Sequence, residues 1–176
     1  MDVDEFLEFL FPNVNKDDPT EAVVVAEHKQ EPGKQPYWEH TRWRPGTLPS
    51  PLGRHYFCIS TVSAPPRDRK LRRRLTDLKR TFVIGLDDVG RAANSKVDPA
   101  KLPTPTLRVE SSPGNEQWLY KLDRPALPAD AAALIAALAR AGYTDKGSQG
   151  TNRVLRLPGS LNDKYDQPFR ARVIHG

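Results

Sequence analysis

Residues 82–90 read FVIGLDDVG, from Phe82 to Gly90. Phe82, Val83, Ile84 and Leu86 are apolar and mostly β-favouring, which predicts a short buried strand. That strand delivers two adjacent carboxylates, Asp87 and Asp88, to its end. Carboxylates on such a rigid base, open to solvent on one side, suit a hard cation such as Mg²⁺ or Mn²⁺. Asp-Asp-x-Gly is equally ordinary turn chemistry, so this stretch alone leaves turn and metal site level. Adjacent residues of a regular strand point to opposite faces, so both carboxylates serve one site only if the strand ends or bulges there. Gly85 and Gly90 on either side favour that.

Working outward, Pro65 and Pro66 close a preceding strand, His55 to Val62 (HYFCISTV), and open a predicted helix from Arg67 to Arg80. Leu71, Leu75 and Leu78 form its apolar stripe, while Arg67, Arg69, Lys70, Arg72, Arg73, Arg74, Lys79 and Arg80 make the densest positive field in the chain. Such a face is either simply solvated or a phosphate contact, with Arg69, Arg72, Arg73 and Arg74 as the candidate DNA-binding residues. Further upstream, Val3, Phe6, Leu7 and Leu10 have helical spacing, and Glu21 to Glu27 (EAVVVAE) reads as a strand. Tyr37, Trp38, His40, Arg42, Trp43 and Arg44 then crowd together. Aromatics interleaved with cations stack unpaired bases, which makes Trp38 and Trp43 candidates; the alternative is an ordered loop whose Trp side chains pack on the core.

Downstream of Gly90 a proline-containing linker leads to two strands, Thr106 to Glu110 and Gln117 to Leu122, joined by a turn over Ser111 to Asn115. Pro128 to Ala141 is a clear helix, with Asp130 in its first turn, a stripe of Leu134, Ile135 and Leu138, and Gly142 at its end. Asp145 follows in a loop, then a short strand from Arg153 to Leu157, a loop, and a last strand from Phe169 to Ile174. Strands and helices alternate irregularly with a hairpin between, which predicts an α+β or mixed α/β fold.

Composition bounds the function. The 176 residues make one domain large enough for a core without cross-links. Lys and Arg outnumber Asp and Glu by 27 to 22, giving +5 and a pI near 9.4, which favours a polyanionic partner. The lone Cys58 excludes an intrachain disulfide and a multi-cysteine zinc site, and its apolar surroundings mark it as a small buried hydrophobe. There is no P-loop or GxGxxG, and no histidine stands beside a plausible nucleophile. No long apolar run or basic-apolar leader is present, so the chain is expected to be free of the membrane and cytoplasmic.

Asp87, Asp88 and Asp145 are the three acids that can converge. Phosphoryl transfer to a 3′ hydroxyl uses two divalent ions roughly 3.5 to 4 Å apart, and three carboxylates are an economical way to hold them. The segment Arg153 to Lys164 (RVLRLPGSLNDK) offers Arg153, Arg156, Ser160, Asn162 and Lys164 to a triphosphate, and the Ser111 to Asn115 turn offers further donors.

The succession FVIGLDDVG, RVESSPGNEQWLYKL and RVLRLPGSLNDK resembles the three-part signature of RepB-like primases, within the archaeo-eukaryotic primase and primase-polymerase superfamily of plasmids and phages. The resemblance covers roughly Tyr56 to Lys164. It implies metal binding and catalysis by Asp87, Asp88 and Asp145. It implies nucleotide contact by Arg153, Arg156, Asn162 and Lys164, while the middle segment has Ser111, Ser112, Asn115 and Gln117 where many superfamily members carry a histidine. The implied fold is an RRM-like catalytic sheet with flanking helices plus a smaller N-terminal α/β module, here residues 1–54 before a core of 55–176.

The expectation is therefore a template-dependent nucleotidyltransferase making, and extending, primers on single-stranded DNA with Mg²⁺ or Mn²⁺ and nucleoside triphosphates. It would work in a bacterial host, beside a replicative helicase or one fused to it, as a piece of a longer replication protein. A non-catalytic single-strand or origin DNA-binding module and a metal-dependent nuclease are the alternatives.

Overall fold

The computed structural model of the protein describes residues 1–64, 70–90, 96–144, 150–164 and 166–174. It begins with helix α1 (Val3–Leu10), held by a capping box in which Asp2 accepts from the Glu5 N–H and Glu5 accepts from the Asp2 N–H. Phe6, Leu7 and Leu10 of this helix are buried, as their spacing predicts.

Three runs that read as single strands each break in two and change sheets; the last of them, Phe169 to Ile174, does so at Ala171. The first gives β1 (Glu21–Ala22) and β2 (Val24–Lys29); the second gives β4 (His55–Cys58) and β5 (Ser60–Ser63). Between them lies β3 (Tyr37–Arg42). Val23 and the fully buried Ile59 are the crossing points of these two. The Ile59 N–H and carbonyl bond to the Arg153 carbonyl and the Phe82 N–H, so one residue staples both sheets.

The strand containing FVIGLDDVG is longer than expected. It is β6 (Leu78–Gly90), and it takes over ground assigned above to the helix from Arg67 to Arg80. Residues 70–74 have no regular structure and Leu75–Asp77 form one 3₁₀ turn, while residues 65–69, Arg69 among them, lie outside the described residues. The leucine spacing has another explanation. Leu71 and Leu78 pack on Ala22, Val24, Cys58 and Val62, and Leu75 is left 64% exposed.

The hairpin is as expected but tighter. Strands β7 (Leu107–Ser112) and β8 (Asn115–Ala126) are joined at Pro113 and Gly114, with Gly114 at φ 71°. Helix α2 (Pro128–Arg140) packs against β6. Its buried line is Ala131, Ile135 and Ala139; of the expected stripe Ile135 is buried, Leu138 packs half-buried against the core and Leu134 is exposed. The short strands β9 (Val154–Arg156), β10 (Leu161–Asn162), β11 (Phe169–Arg170) and β12 (Arg172–Ile174) complete the chain.

The order is β1-β5-β6-β8-β7-β12 in a six-stranded sheet and β3-β2-β4-β9 in a four-stranded one, with β10 and β11 as a separate pair. The expected boundary at residue 54 runs through the second sheet, because β4 and β9 pair in line with β2. Phe11 lies between Phe57 of one sheet and Phe82 of the other, and Phe6 packs edge-on against Phe57, with ring centres 5.3 to 6.3 Å apart. The sheets come closest where β6 meets β9. A Cβ on Gly85 would run into Leu155 Cδ1, so the strands come this close because residue 85 carries no side chain. No helix among the described residues is long and apolar enough to cross a membrane.

Candidate active site

The paired acids stand on a β-bulge. Leu86 pairs with Trp118 and Val89 with Glu116, so β6 uses one residue more than β8 between the same two rungs. The extra turn is taken at Asp88, whose φ of 57° lies in the left-handed region, and Asp87 Oδ1 accepts the Asp88 N–H at 3.1 Å. The bulge is fastened from both sides. The Asp88 carbonyl accepts from the N–H groups of Lys96 and Val97, and the Gly90 N–H donates to the Val97 carbonyl. Both carboxylates remain about a quarter exposed, Asp87 at 27% and Asp88 at 26%.

Each acid has a cationic or amide neighbour. Arg153, 7% exposed, brings Nη2 to 3.3 Å from Asp87 Oδ2 and donates from Nη1 to the Gly85 carbonyl at 3.0 Å. Asp88 Oδ1 accepts from Asn115 Nδ2 at 3.0 Å, and Asp88 Oδ2 lies 3.0 Å from Lys96 Nζ. Arg156 is near enough to feel Asp87. Burial pushes its guanidinium pKa down, and Tyr56, Asp87 and Asp163 pull it back up.

The remaining candidates form a buried frame behind these groups. Ser111, Ser112, Asn115, Gln117, Ser160 and Asn162 are all buried. Gln117 Oε1 accepts the Arg156 N–H at 2.9 Å, and Asn162 Nδ2 donates to the Ser111 carbonyl at 2.6 Å. The hairpin, the Arg156 strand and the Pro-Gly loop are therefore tied into one block. Arg156 Nη1 donates to the Leu161 carbonyl and Nη2 to the Tyr56 hydroxyl. Lys164 is exposed at the end of the same loop.

Asp145 lies outside the described residues. Among the described residues no group of three or more His, Cys, Asp or Glu side chains comes together to hold a metal ion. Of the three acids expected to bind metal, the structure describes Asp87 and Asp88. Two partly exposed carboxylates on a fastened bulge are hard oxygen ligands, and that chemistry fits Mg²⁺ or Mn²⁺.

The two tryptophans part company. Trp43 is 1% exposed, its Nε1 donates to Asp4 Oδ1 at 2.8 Å, and it belongs to the main core. It has no face to offer a base, being buried and bonded to Asp4 in the first turn of α1, 39 residues away. Trp38 sits on β3, 38% exposed, with the Arg73 guanidinium carbon 5.4 Å from its ring centre. Arg72 and Arg74 are exposed on the irregular segment beside it. Tyr56, missed as a functional candidate in the sequence, stands between Trp38 and Arg156. Its signal was its place two residues before Cys58 on the side of the strand away from Phe57.

The chain matches the family model of the RepB DNA-primase N-terminal domain over residues 23–171. Its structure is similar to the AEP domain (PP-N190) of the cyanophage S-2L primase-polymerase, PrimPol, with a TM-score of 0.68 and 15% sequence identity, over 98% of this chain and 88% of that one. At that identity the likeness is one of fold, and it covers the mixed α+β architecture as a whole. No curated protein sequence matches the chain.

Proposed function

This chain belongs to the RepB DNA-primase N-terminal domain family, and we propose that it is a template-dependent nucleotidyltransferase that makes and extends primers on single-stranded DNA. The observation that carries this reading is the bulge at Asp87 and Asp88. A regular strand would send the two neighbouring carboxylates to opposite faces; the extra residue and the left-handed turn at Asp88 break that alternation, which supports a shared site.

Asp87 and Asp88, joined by Asp145, would hold the divalent ions. Bound there, Mg²⁺ or Mn²⁺ supplies charge stabilisation to the attacking and leaving oxygens of phosphoryl transfer. The chain's own residues do the positioning. Arg153 fixes the Asp87 carboxylate against the backbone of β6, and Asn115 fixes Asp88. Arg156 and Lys164 neutralise the incoming triphosphate. Gln117 holds the backbone of Arg156, and Asn162, itself bonded to the Ser111 carbonyl, holds that of Lys164. Arg72, Arg73, Arg74 and Trp38 contact the template. Within this reading residues 1–176 act as one catalytic domain of a longer replication protein, in a bacterial cytoplasm and beside a helicase.

The test is Asp87→Asn combined with Asp88→Asn, assayed with labelled single-stranded templates, nucleotides and Mg²⁺ or Mn²⁺. Loss of incorporation with single-strand binding retained supports the assignment; undiminished incorporation overturns it. Shortening of the DNA by the unmodified chain would make it a nuclease, and binding with neither outcome a non-catalytic module.

A further inference from the structure

The four-stranded sheet turns one face to the main core; the other is covered at one end by Leu71 on Val24 and Cys58 and is partly open beyond it, and strand alternation sorts the side chains between the two. Val25, Phe57 and Leu155 form one cross-strand row and are buried. The neighbouring row faces the other way. His40 of β3, Ala26 of β2, Tyr56 of β4 and Arg156 of β9 pair in register across all four strands. Trp38 and His28 pair beside them on the same face. Glu27 and Glu39 pair with each other on the reverse side, so these two outer rows hold aromatic and cationic groups without a carboxylate.

These groups are in contact. The rings of Trp38 and Tyr56 are 5.1 Å apart, and the Arg156 guanidinium carbon is 4.6 Å from the Tyr56 ring centre. At the other end Arg73 lies over Trp38, donates from Nε to His40 Nε2 at 3.1 Å and from Nη1 to the Asn152 carbonyl at 2.8 Å. Burial and the Arg73 charge lower the His40 pKa, which keeps the ring a neutral acceptor. The series Arg73, Trp38, Tyr56, Arg156 thus crosses the sheet without a break. Lys70, Arg72 and Arg74 are exposed at its outer end. Its inner end is the strand whose Leu155 packs on Gly85, directly behind Asp87.

Resting on the primer-synthesis reading above, we propose that this outer sheet face is the track for unpaired template DNA, whose bases stack on Trp38 and Tyr56 and whose phosphates meet Arg73 and its basic neighbours. Alternating rings and guanidinium groups suit the exposed π-faces of unpaired bases, which a duplex hides. The positive rim matches the phosphate backbone.

Binding of an oligodeoxythymidylate to the full chain, with chelator and no nucleotides, tests this apart from catalysis. Trp38→Ala or Tyr56→Leu is expected to weaken single-strand affinity about tenfold with the salt slope unchanged, while Arg72→Ala with Arg74→Ala flattens the slope. Trp38 is the exposed tryptophan, with Trp43 and Trp118 at 1% and 8%. Its fluorescence should be quenched by the oligonucleotide, and Trp38→Phe should abolish the quenching while keeping affinity within about twofold. That conservative variant decides the matter if Trp38→Ala does not fold. Unchanged affinity in the ring-deleted variants, equal loss for a duplex, or no quenching would overturn the track and leave the face to another occupant. The Asp87→Asn, Asp88→Asn protein separates the two readings. Continued synthesis there sinks the active-site assignment and leaves these binding results standing.

Discussion

Arg153 and Asp87 form a bridge from the four-stranded sheet into the bulge of β6, with Nη2 at 3.3 Å from the carboxylate while Nη1 holds the Gly85 carbonyl two residues earlier. One buried guanidinium thereby fixes both the acid and the backbone that carries it. Its removal leaves a carboxylate and a carbonyl facing a hole.

Arg153→Met is therefore expected to destabilise the chain by about 1–3 kcal/mol, the order seen when a buried polar group loses its partner. Arg153→Lys keeps the charge but not the two-pronged hold, and should fall between. Urea unfolding of the three proteins measures the series. Equal stability throughout would mean that the bridge carries no weight.

Asp88 is the residue whose backbone makes the bulge, at φ 57°. Asparagine tolerates that conformation and keeps an oxygen for Asn115, whereas a β-branched residue does not. Asp88→Asn should unfold at nearly the unmodified urea concentration, and Asp88→Val should lose about 1–2 kcal/mol. A catalytic test by Asp88→Val would mix loss of fold with loss of chemistry.

Gly85 faces Leu155 with no room for a Cβ. Gly85→Ala overpacks this joint and should cost about 1–3 kcal/mol. Pairing it with Leu155→Ala should recover part of that loss, so the double mutant is more stable than the two single effects summed. A strictly additive cycle would show that the sheets separate freely here.

Cys58 is buried, and burial pushes its thiol pKa up to about 11 from an ordinary value of 9.0. Iodoacetamide at pH 8 should label it slowly in the folded chain and quickly in urea. Between pH 9 and about 11 the unfolded thiol ionises while the folded one keeps its proton, so stability falls as pH rises through this window and is unaffected below it. A Cys58→Ala variant should lack that component of the pH dependence.

The acid strand, the hairpin and the second helix were legible because each is announced by local pattern. The bulge was legible as a requirement, yet its maker was not. Gly85 looked like the residue that lets the strand bend, but it is there for Leu155, and Asp88 itself takes the left-handed turn. The segment 70–80 was misread because leucines three or four apart fit a helix. Its actual extended path is set by an apolar patch on β1, β2, β4 and β5 that no local window contains. Trp43 needed a partner in the first helix, and the row from His40 to Arg156 joins four strands spread over most of the sequence. Contacts of that reach are a property of the register, which periodicity alone does not give.

The segment from Arg153 to Arg156 sends consecutive side chains to different duties: Arg153 to the acid, Leu155 to the joint between sheets, Arg156 to the outer face. Three peptide units then set the interval between the guanidinium of Arg156 and that of Arg153 beside the Asp87 carboxylate, a span of roughly 10 Å along a strand. Covalent geometry, which thermal motion does not alter, works here as a gauge block. A single inserted residue in this segment would throw the two ends out of phase, with every side chain still present.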